Sequence, residues 1–312
     1  MKVLFVSSGN ESGQPKNVVF NQGYSLEKKG IEIRYFCIKG HGLKGYMSSV
    51  PDLKKEIWSF SPDIVHAHYS LSGLIASLAG AAPIVVSLMG SEAYHKKILF
   101  SLTRYFSNHR WNRTIVKSAG MHEMLKLNKA EVVPNGVDLD VFYARKKNES
   151  CARTGMDPKK INVLFVADPS RAEKNFALAS EAVASLNNDR ISLSPVYNIP
   201  NTDLPWYYSA ANVLLMTSLW EGSPNVIKEA MACNCPIVST NVGDIGWVTG
   251  SLPGTYLTSH SISDVTEKLK KAIQFSESEG RTKGCLRIKD LKLDSASVAE
   301  KLTCIYNEVL KG

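Results

Sequence analysis

The 312-residue chain is predicted to fold as an α/β protein of two doubly wound, Rossmann-like domains in series, and three observations carry that prediction. Short apolar runs alternate with longer stretches of helical periodicity, the pattern of βαβ units and of parallel sheets covered on both faces. The pattern starts twice: Asn162–Asp168 (NVLFVAD) resembles the opening Lys2–Val6 (KVLFV). The length is about twice that of a typical domain.

The elements follow in order. Lys2–Val6 reads as a strand and Val18–Lys29 as the helix after it. Ile31–Lys39, Ile64–His68, Pro83–Gly90 and Thr114–Ser118 read as further strands, with a small-residue helix at Leu71–Gly80. In the second half, Asn162–Asp168, Ile191–Val196, Val213–Thr217 and Pro236–Thr240 read as strands, Phe176–Leu186 and Asn225–Ala232 as helices, and Ser295–Leu310 as an amphipathic terminal helix. Tyr143–Lys160 is charged and lacks apolar periodicity, the signature of an interdomain connection. The expected organisation is therefore an N-terminal domain over 1–145, a linker over 146–160, a C-terminal domain over 161–294, and a helix over 295–312 returning towards the N-terminal domain. Ligands of such sheets bind at the carboxyl ends of the strands, so a cleft between two facing domains is the expected site.

No apolar run reaches the ~18–20 residues needed to span a bilayer, and the apolar stretch at the N-terminus is too short for the core of a signal peptide. A cytoplasmic protein is expected. Six cysteines in a chain of this length do not form a disulfide framework, and Cys233 and Cys235 lack a second pair at zinc-ligand spacing, so all six read as ordinary thiols and no metal site is expected. The formal net charge is +8, and residues 1–147 hold 20 Lys and Arg against 11 Asp and Glu. The excess positive charge thus lies in the first half, which suits an anionic partner such as a phosphorylated lipid or an anionic membrane surface. Tyr94–Arg113 interleaves basic residues with Phe100, Tyr105, Phe106 and Trp111, a pattern that suits peripheral contact with such a surface and equally a helix whose aromatic stripe packs on its own domain. No nucleic-acid-binding module is present.

The segment 218–240 (SLWEGSPNVIKEAMACNCPIVST) concentrates the chemistry. A strand ends near Ser218, a turn carries Glu221 and Gly222, and a helix begins near Pro224, where proline costs no hydrogen bond. The helix start offers free amides and a positive dipole end to a phosphate. Glu229 follows about one turn in, and Asn234 suits a left-handed helix terminus. On spacing alone, a helix cap beside a surface glutamate explains these residues as well.

With its surroundings, Glu221-x7-Glu229 resembles the signature of the retaining GT-B glycosyltransferases of family 4, the glycosyl transferases group 1. Val132–Phe142 (VVPNGVDLDVF), Pro62–His68 (PDIVHAH) and Asp168–Asn175 (DPSRAEKN) resemble further family segments in the same order. The resemblance implies a GT-B fold and transfer of a sugar from a nucleotide-sugar donor to an acceptor hydroxyl, with retention, no protein nucleophile and no cofactor or metal. It implies that Glu221 meets donor-sugar hydroxyls, that Glu229 binds the ribose, and that Gly222, Ser223, Pro224 and Asn225 line the donor pocket. Arg171 and Lys174 would grip the diphosphate, although the family more often places Gly-Arg directly after the strand, where this chain has Ala167-Asp168. Gly13, in the polar loop Ser7–Gln14, would let backbone amides approach the donor phosphate or the acceptor, and a plain turn explains it equally; the resemblance places Met89 with Gly90 near the donor sugar. Met89 stands where many relatives carry a histidine, which leaves polar contact to Ser91 or Glu92. His66 and His68 share one face of a strand, and His68 is expected near the cleft.

The expected acceptor is a saccharide, lipid-linked in surface polysaccharide assembly, at the inner face of a membrane. Two other readings fit the same architecture: a nucleotide-sugar 2-epimerase, which needs no acceptor, and a non-catalytic sugar-nucleotide-binding partner of a synthase.

Overall fold

The computed structural model describes residues 1–10, 13–40, 42–90, 97–127 and 130–312. They form two compact units, Met1–Gly136 with Ser295–Gly312, and Val137–Asp294.

The first unit runs β1 (Lys2–Asn10), α1 (Asn17–Glu27), β2 (Glu32–Lys39), α2 (Gly42–Ser48), α3 (Val50–Phe60), β3 (Ile64–His68), α4 (Ser70–Leu78), β4 (Ile84–Ser87), α5 (Lys97–His109), β5 (Arg113–Val116), α6 (Ala119–Leu125) and β6 (Ala130–Val132). Its strands pair in parallel in the order β2-β1-β3-β4-β5-β6. Strand alternation explains why β1 is apolar throughout: Leu4 and Val6 enter one buried layer, and Val3 and Phe5 the other. The C-terminal segment fills the second layer with Val298, Ala299, Leu302, Ile305, Tyr306 and Val309. Burying side chains such as Leu302 and Ile305 contributes roughly 1.5–3 kcal/mol each.

The second unit runs α7 (Lys147–Thr154), β7 (Ile161–Phe165), α8 (Phe176–Ala184), β8 (Ile191–Pro195), α9 (Leu204–Ala210), β9 (Val213–Met216), α10 (Asn225–Ala232), β10 (Ile237–Thr240), α11 (Ile245–Thr249), β11 (Thr255–Thr258), α12 (Ile262–Ser278) and α13 (Gly284–Asp290); the chain then returns to the first unit as α14 (Ser295–Lys311). The parallel order is β11-β10-β9-β7-β8. Again both faces are buried, one around Leu164, Leu214 and Ile237, the other around Val163, Leu215 and Val238.

The unit boundaries differ from the sequence-based expectation over 137–160. Phe142 lies in the core of the second unit against Tyr208, with ring centroids 6.3 Å apart. The segment expected as a linker contains α7, which packs against α9. Its helix is hidden in the sequence because only Ser150 and Cys151 on it are buried, too narrow a stripe to set a helical period. The expected strand Thr114–Ser118 ends at Val116, because the Ser118 hydroxyl accepts from the Met121 amide at 3.3 Å and starts α6. Asn234 has φ 55°, as its place after α10 requires, and its Oδ1 accepts from the Cys285 amide at 2.9 Å.

Candidate active site

In the second sheet, β8 lies on one side of β7 and β9 on the other. The connections leaving β7 and β9 therefore run in opposite directions from their carboxyl ends, the place where ligands of open parallel sheets bind. Hydrogen bonds from a side chain and from the backbone tie the two loops together. Thr217 Oγ1 donates to the carbonyls of Lys174 (3.1 Å) and Asn175 (2.9 Å), and the Leu219 amide donates to Glu173 O at 2.9 Å. Behind this edge, Ser218 O accepts from Thr240 Oγ1 at 2.7 Å and lies 3.1 Å from His260 Nε2. Three neighbouring strands thus hold one carbonyl.

With its backbone held in this way, Lys174 reaches Glu221: Nζ lies 2.5 Å from Oε1, and the Ser218 hydroxyl donates to the same oxygen at 2.9 Å. The two side chains are only 16% and 15% exposed. A charge pair this far from water interacts more strongly than a surface pair. Arg171 is not part of it. Its guanidinium is 55% exposed and engages Glu173 through Nε at 2.8 Å and Nη2 at 2.5 Å.

Glu229, one turn into α10, accepts a hydrogen bond from the Tyr208 hydroxyl at 2.8 Å. Burial pushes its carboxyl up to about 7, even though Tyr208 and the Lys228 ammonium lower it. Burial, followed by the adjacent Glu229, drives the Tyr208 hydroxyl well above its ordinary value, so it stays protonated and donates. Glu229 is therefore poised to change charge near neutrality.

Pro224, with φ −69° and ψ 124°, leads into α10 at Asn225. The first-turn amides have no intrahelical acceptor. Asn225 Oδ1 is buried without a hydrogen-bond partner among the described residues. Gly222 follows Glu221 in the turn, and the Ser223 hydroxyl is buried and accepts from Lys228 Nζ at 3.0 Å.

The other expected site residues lie in the first unit. Gly13 has φ 64° and its amide donates to Gly9 O at 3.1 Å. Met89 and Gly90 follow β4 at the carboxyl edge of the first sheet, with Gly90 at φ 117°. Ser91 and Glu92 lie outside the described residues. His68, expected near the cleft, is buried at 1% exposure against Phe5 and His66. His66 is a structural residue: its ring contacts the Tyr306 hydroxyl (2.5 Å) and Ser87 Oγ (2.8 Å), and burial together with Lys117 pushes it down to about 3. Of the expected basic–aromatic segment, Tyr94–Lys96 also fall outside the described residues. On α5, Phe100 and Phe106 pack on the core and Trp111 beyond it is buried, whereas Leu102, Arg104 and Tyr105 face outwards.

Among the described residues, no group of three or more His, Cys, Asp or Glu is placed to hold a metal ion, and no helix is long and apolar enough to cross a membrane. All six cysteines are free, and burial raises the thiols of Cys233 and Cys235. Sequence reasoning missed Tyr208, Thr217, Ser218, Thr240, His260, Lys228 and Asp244. The available signal was weak: Ser or Thr ends three strands, and a lysine stands where α10 turns inward.

Comparison with known proteins agrees with this architecture. Residues 6–141 match the family described as Glycosyltransferase Family 4, and residues 158–274 match Glycosyl transferases group 1. A Bacillus subtilis protein, TuaC, named as a glycosyltransferase of teichuronic acid biosynthesis, is 25% identical over 220 residues, covering 61% of this chain and 56% of that protein. The UDP-Gal:alpha-D-GlcNAc-diphosphoundecaprenol alpha-1,3-galactosyltransferase of Escherichia coli is 23% identical over 244 residues, 64% of this chain and 62% of that one. The chain thus spans rather more than half the length of these relatives. Among solved structures, sucrose-phosphate synthase from Thermosynechococcus elongatus superposes with a TM-score of 0.78 at 17% identity, covering 99% of both chains. HepE of Anabaena in complex with UDP-glucose superposes with a TM-score of 0.75 at 15% identity, covering 99% of this chain and 100% of that one. At these identities the likeness is one of fold.

Proposed function

The chain belongs to the family 4 glycosyltransferases, the glycosyl transferases group 1, with the GT-B fold, and from that premise we propose that it transfers a sugar from a nucleotide-sugar donor to an acceptor hydroxyl, with retention of configuration, in the assembly of a surface polysaccharide. The observation that carries this reading is the meeting of Lys174 with Glu221 at the strand ends, beside the amide-rich start of α10 and with Glu229 one turn further in.

Each group has a task suited to its chemistry. Glu229 accepts hydrogen bonds from the ribose hydroxyls, and Glu221 from the donor sugar. Lys174 and the backbone amides of Ser223 and Asn225 offset the charge that grows on the diphosphate as its bond to the sugar breaks, which is electrostatic stabilisation of the transition state. Arg171 joins them only after leaving Glu173. The bond from the anomeric carbon to the diphosphate breaks, the acceptor oxygen bonds to that carbon on the same face, and the acceptor proton passes to a diphosphate oxygen. Protein cations thus take the place a metal ion has elsewhere, and no cofactor is required. The acceptor, a lipid-linked saccharide, is proposed to use the basic first unit, with Leu102, Arg104 and Tyr105 touching the anionic inner face of a membrane from the cytoplasmic side. The named acceptor of the E. coli relative, a diphosphoundecaprenol-linked sugar, supports this choice.

The test is a thermal-shift panel of UDP-, GDP-, ADP- and dTDP-sugars, because a ligand that binds only the folded state raises its apparent stability. One class is expected to stabilise the wild type and to lose that effect in Glu229→Ala. Absence of any shift across the panel, with well-folded protein, rejects the donor reading.

A further inference from the structure

Lys228 is an unusual residue for its position. It lies on α10 between Ile227 and Glu229, and it is 1% exposed. The inward face of that helix is otherwise built from Ile227, Ala230 and Met231, so an apolar side chain is what packing alone would select. Lysines are almost never fully buried unless paired, because an ammonium loses its hydration there. Helical side chains lean towards the N-terminus, and Lys228 follows that direction to donate to Ser223 Oγ at 3.0 Å, beneath the turn that leads into its own helix.

A second turn meets it there. Asp244, which precedes α11, is 9% exposed. Its carboxylate lies beside Lys228 and Ser223, both of which stabilise its charge against the burial that raises its pKa. Neither oxygen meets standard hydrogen-bond geometry with any of the described residues, so its compensation is chiefly the charge of Lys228. Next to it, Gly243 presses directly on the turn of Glu221: a Cβ placed on Gly243 would stand 2.7 Å from Gly222 O and 2.9 Å from Glu221 O. The backbones of the two turns abut, and the buried ammonium bonds Ser223 of the one while its charge acts on Asp244 of the other.

We propose that Lys228 is a positioning residue for donor binding: its ammonium holds Ser223 from below and, with Asp244, locks the turns of Glu221 and Gly243 into a single donor-facing surface. This rests on the reading of that surface as the nucleotide-sugar site and assigns the element that keeps it in shape. Lys228 itself touches no substrate. It acts through the Ser223 hydroxyl and through the placement of the amides that follow it, so its loss acts on donor affinity rather than on the acceptor.

The experiment uses the full chain in five forms: wild type, Lys228→Met, Ser223→Ala, Lys228→Met combined with Ser223→Ala, and the paired variant Lys228→Met with Asp244→Asn, which removes both buried charges together and so leaves none unpaired. UDP, GDP, ADP and dTDP are titrated into the wild type, and the one that binds is then used for every form, alongside the donor and acceptor KM and the unfolding midpoint. A hydrogen bond from a charged donor is worth enough to change affinity by about tenfold. Lys228→Met and Ser223→Ala are each expected to weaken the nucleoside diphosphate and raise the donor KM by about that factor. The acceptor KM is expected to stay unchanged. Combining Lys228→Met with Ser223→Ala should add no further loss, since both cut one link. Should Lys228→Met fail to fold, the paired variant and Ser223→Ala read the same link. Donor affinity retained in folded variants overturns the assignment of Lys228 alone. Loss of stability with unchanged donor KM does the same, because it marks a purely structural residue. A wild type that binds none of the four nucleotides overturns the donor reading and this inference with it.

Discussion

Lys174 Nζ and Glu221 Oε1 lie 2.5 Å apart although 47 residues separate them in the chain. They leave two neighbouring strands, β7 and β9, and the Thr217 hydroxyl, bonded to the carbonyls of Lys174 and Asn175, keeps the two loops in register. In the free protein the pair neutralises itself. On the proposed reading, a diphosphate arriving at this edge would compete with Glu221 for the ammonium and free the carboxylate for sugar hydroxyls.

Lys174→Ala is therefore expected to lower kcat/KM by roughly 100-fold, the typical loss when one electrostatic partner of a transition state is removed. Arg171→Ala should lower it far less, since Arg171 is engaged by Glu173. Steady-state kinetics with the donor identified by thermal shift measures both. Near wild-type turnover in Lys174→Ala, or equal losses in the two variants, contradicts the assignment.

Affinity for the nucleoside diphosphate is expected to depend on pH through Glu229. Ribose hydroxyls donate to the carboxylate form, and the carboxyl titrates at about 7, so binding strengthens as the pH rises through neutrality and then levels off. Tyr208→Phe removes a bond that lowers that value, which moves the midpoint upwards. The effect on folding has the opposite sign. Between the ordinary value of 4.5 and about 7 the folded protein holds a proton that the unfolded chain has released. The contribution of Glu229 to stability is therefore full below 4.5 and is lost as the pH rises through about 7. Titrations across neutrality on wild type, Tyr208→Phe and Glu229→Gln check this, and a pH-independent affinity in the wild type refutes it.

The contact between Tyr306 and His66 joins the last helix to the sheet of the first unit across 240 residues. Tyr306→Phe leaves the buried His66 Nδ1 without that partner, a change expected to cost about 1–3 kcal/mol. Urea unfolding of the variant measures it. A midpoint equal to that of the wild type would show that the hydroxyl contributes nothing to docking the helix.

Leu102, Arg104 and Tyr105 form the outward face of α5. Flotation with vesicles containing phosphatidylglycerol is expected to recover the protein at low salt and to release it as salt screens the attraction. Leu102→Ser with Tyr105→Ser should weaken recovery without lowering the unfolding midpoint. Equal recovery on neutral vesicles, or none at low salt, counts against this face as a membrane contact.

Local periodicity read some elements to the residue and missed others. Ile64–His68 and Asn225–Ala232 have the bounds that their sequence predicts, because each is an apolar run with clear terminators. β1 instead runs on from Val6 to Asn10, since Ser7, Ser8 and Asn10 pair with Cys37, Ile38 and Lys39 of β2, and backbone pairing leaves no mark on hydropathy. Of the candidate site, Glu221, Glu229 and Lys174 were legible from their motif and its flanks. Tyr208 and Asp244 were not, because nothing within a few residues of either distinguishes a site residue from an ordinary core neighbour.

The sequence by itself determined the two α/β units, the strand–turn–helix that carries Glu221 and starts α10, and the left-handed position at Asn234. These follow from side-chain period, proline placement and backbone freedom, all of which act within a few residues. Only the tertiary structure decided that Lys174 serves Glu221 while Arg171 is held by Glu173, that Tyr208 keeps its proton to hold Glu229, and that Lys228 turns inward to Ser223. Those outcomes depend on which strands become neighbours and on how deeply each charge is buried. Both are properties of the packed sheet, where the cost of desolvating a charge selects its partner.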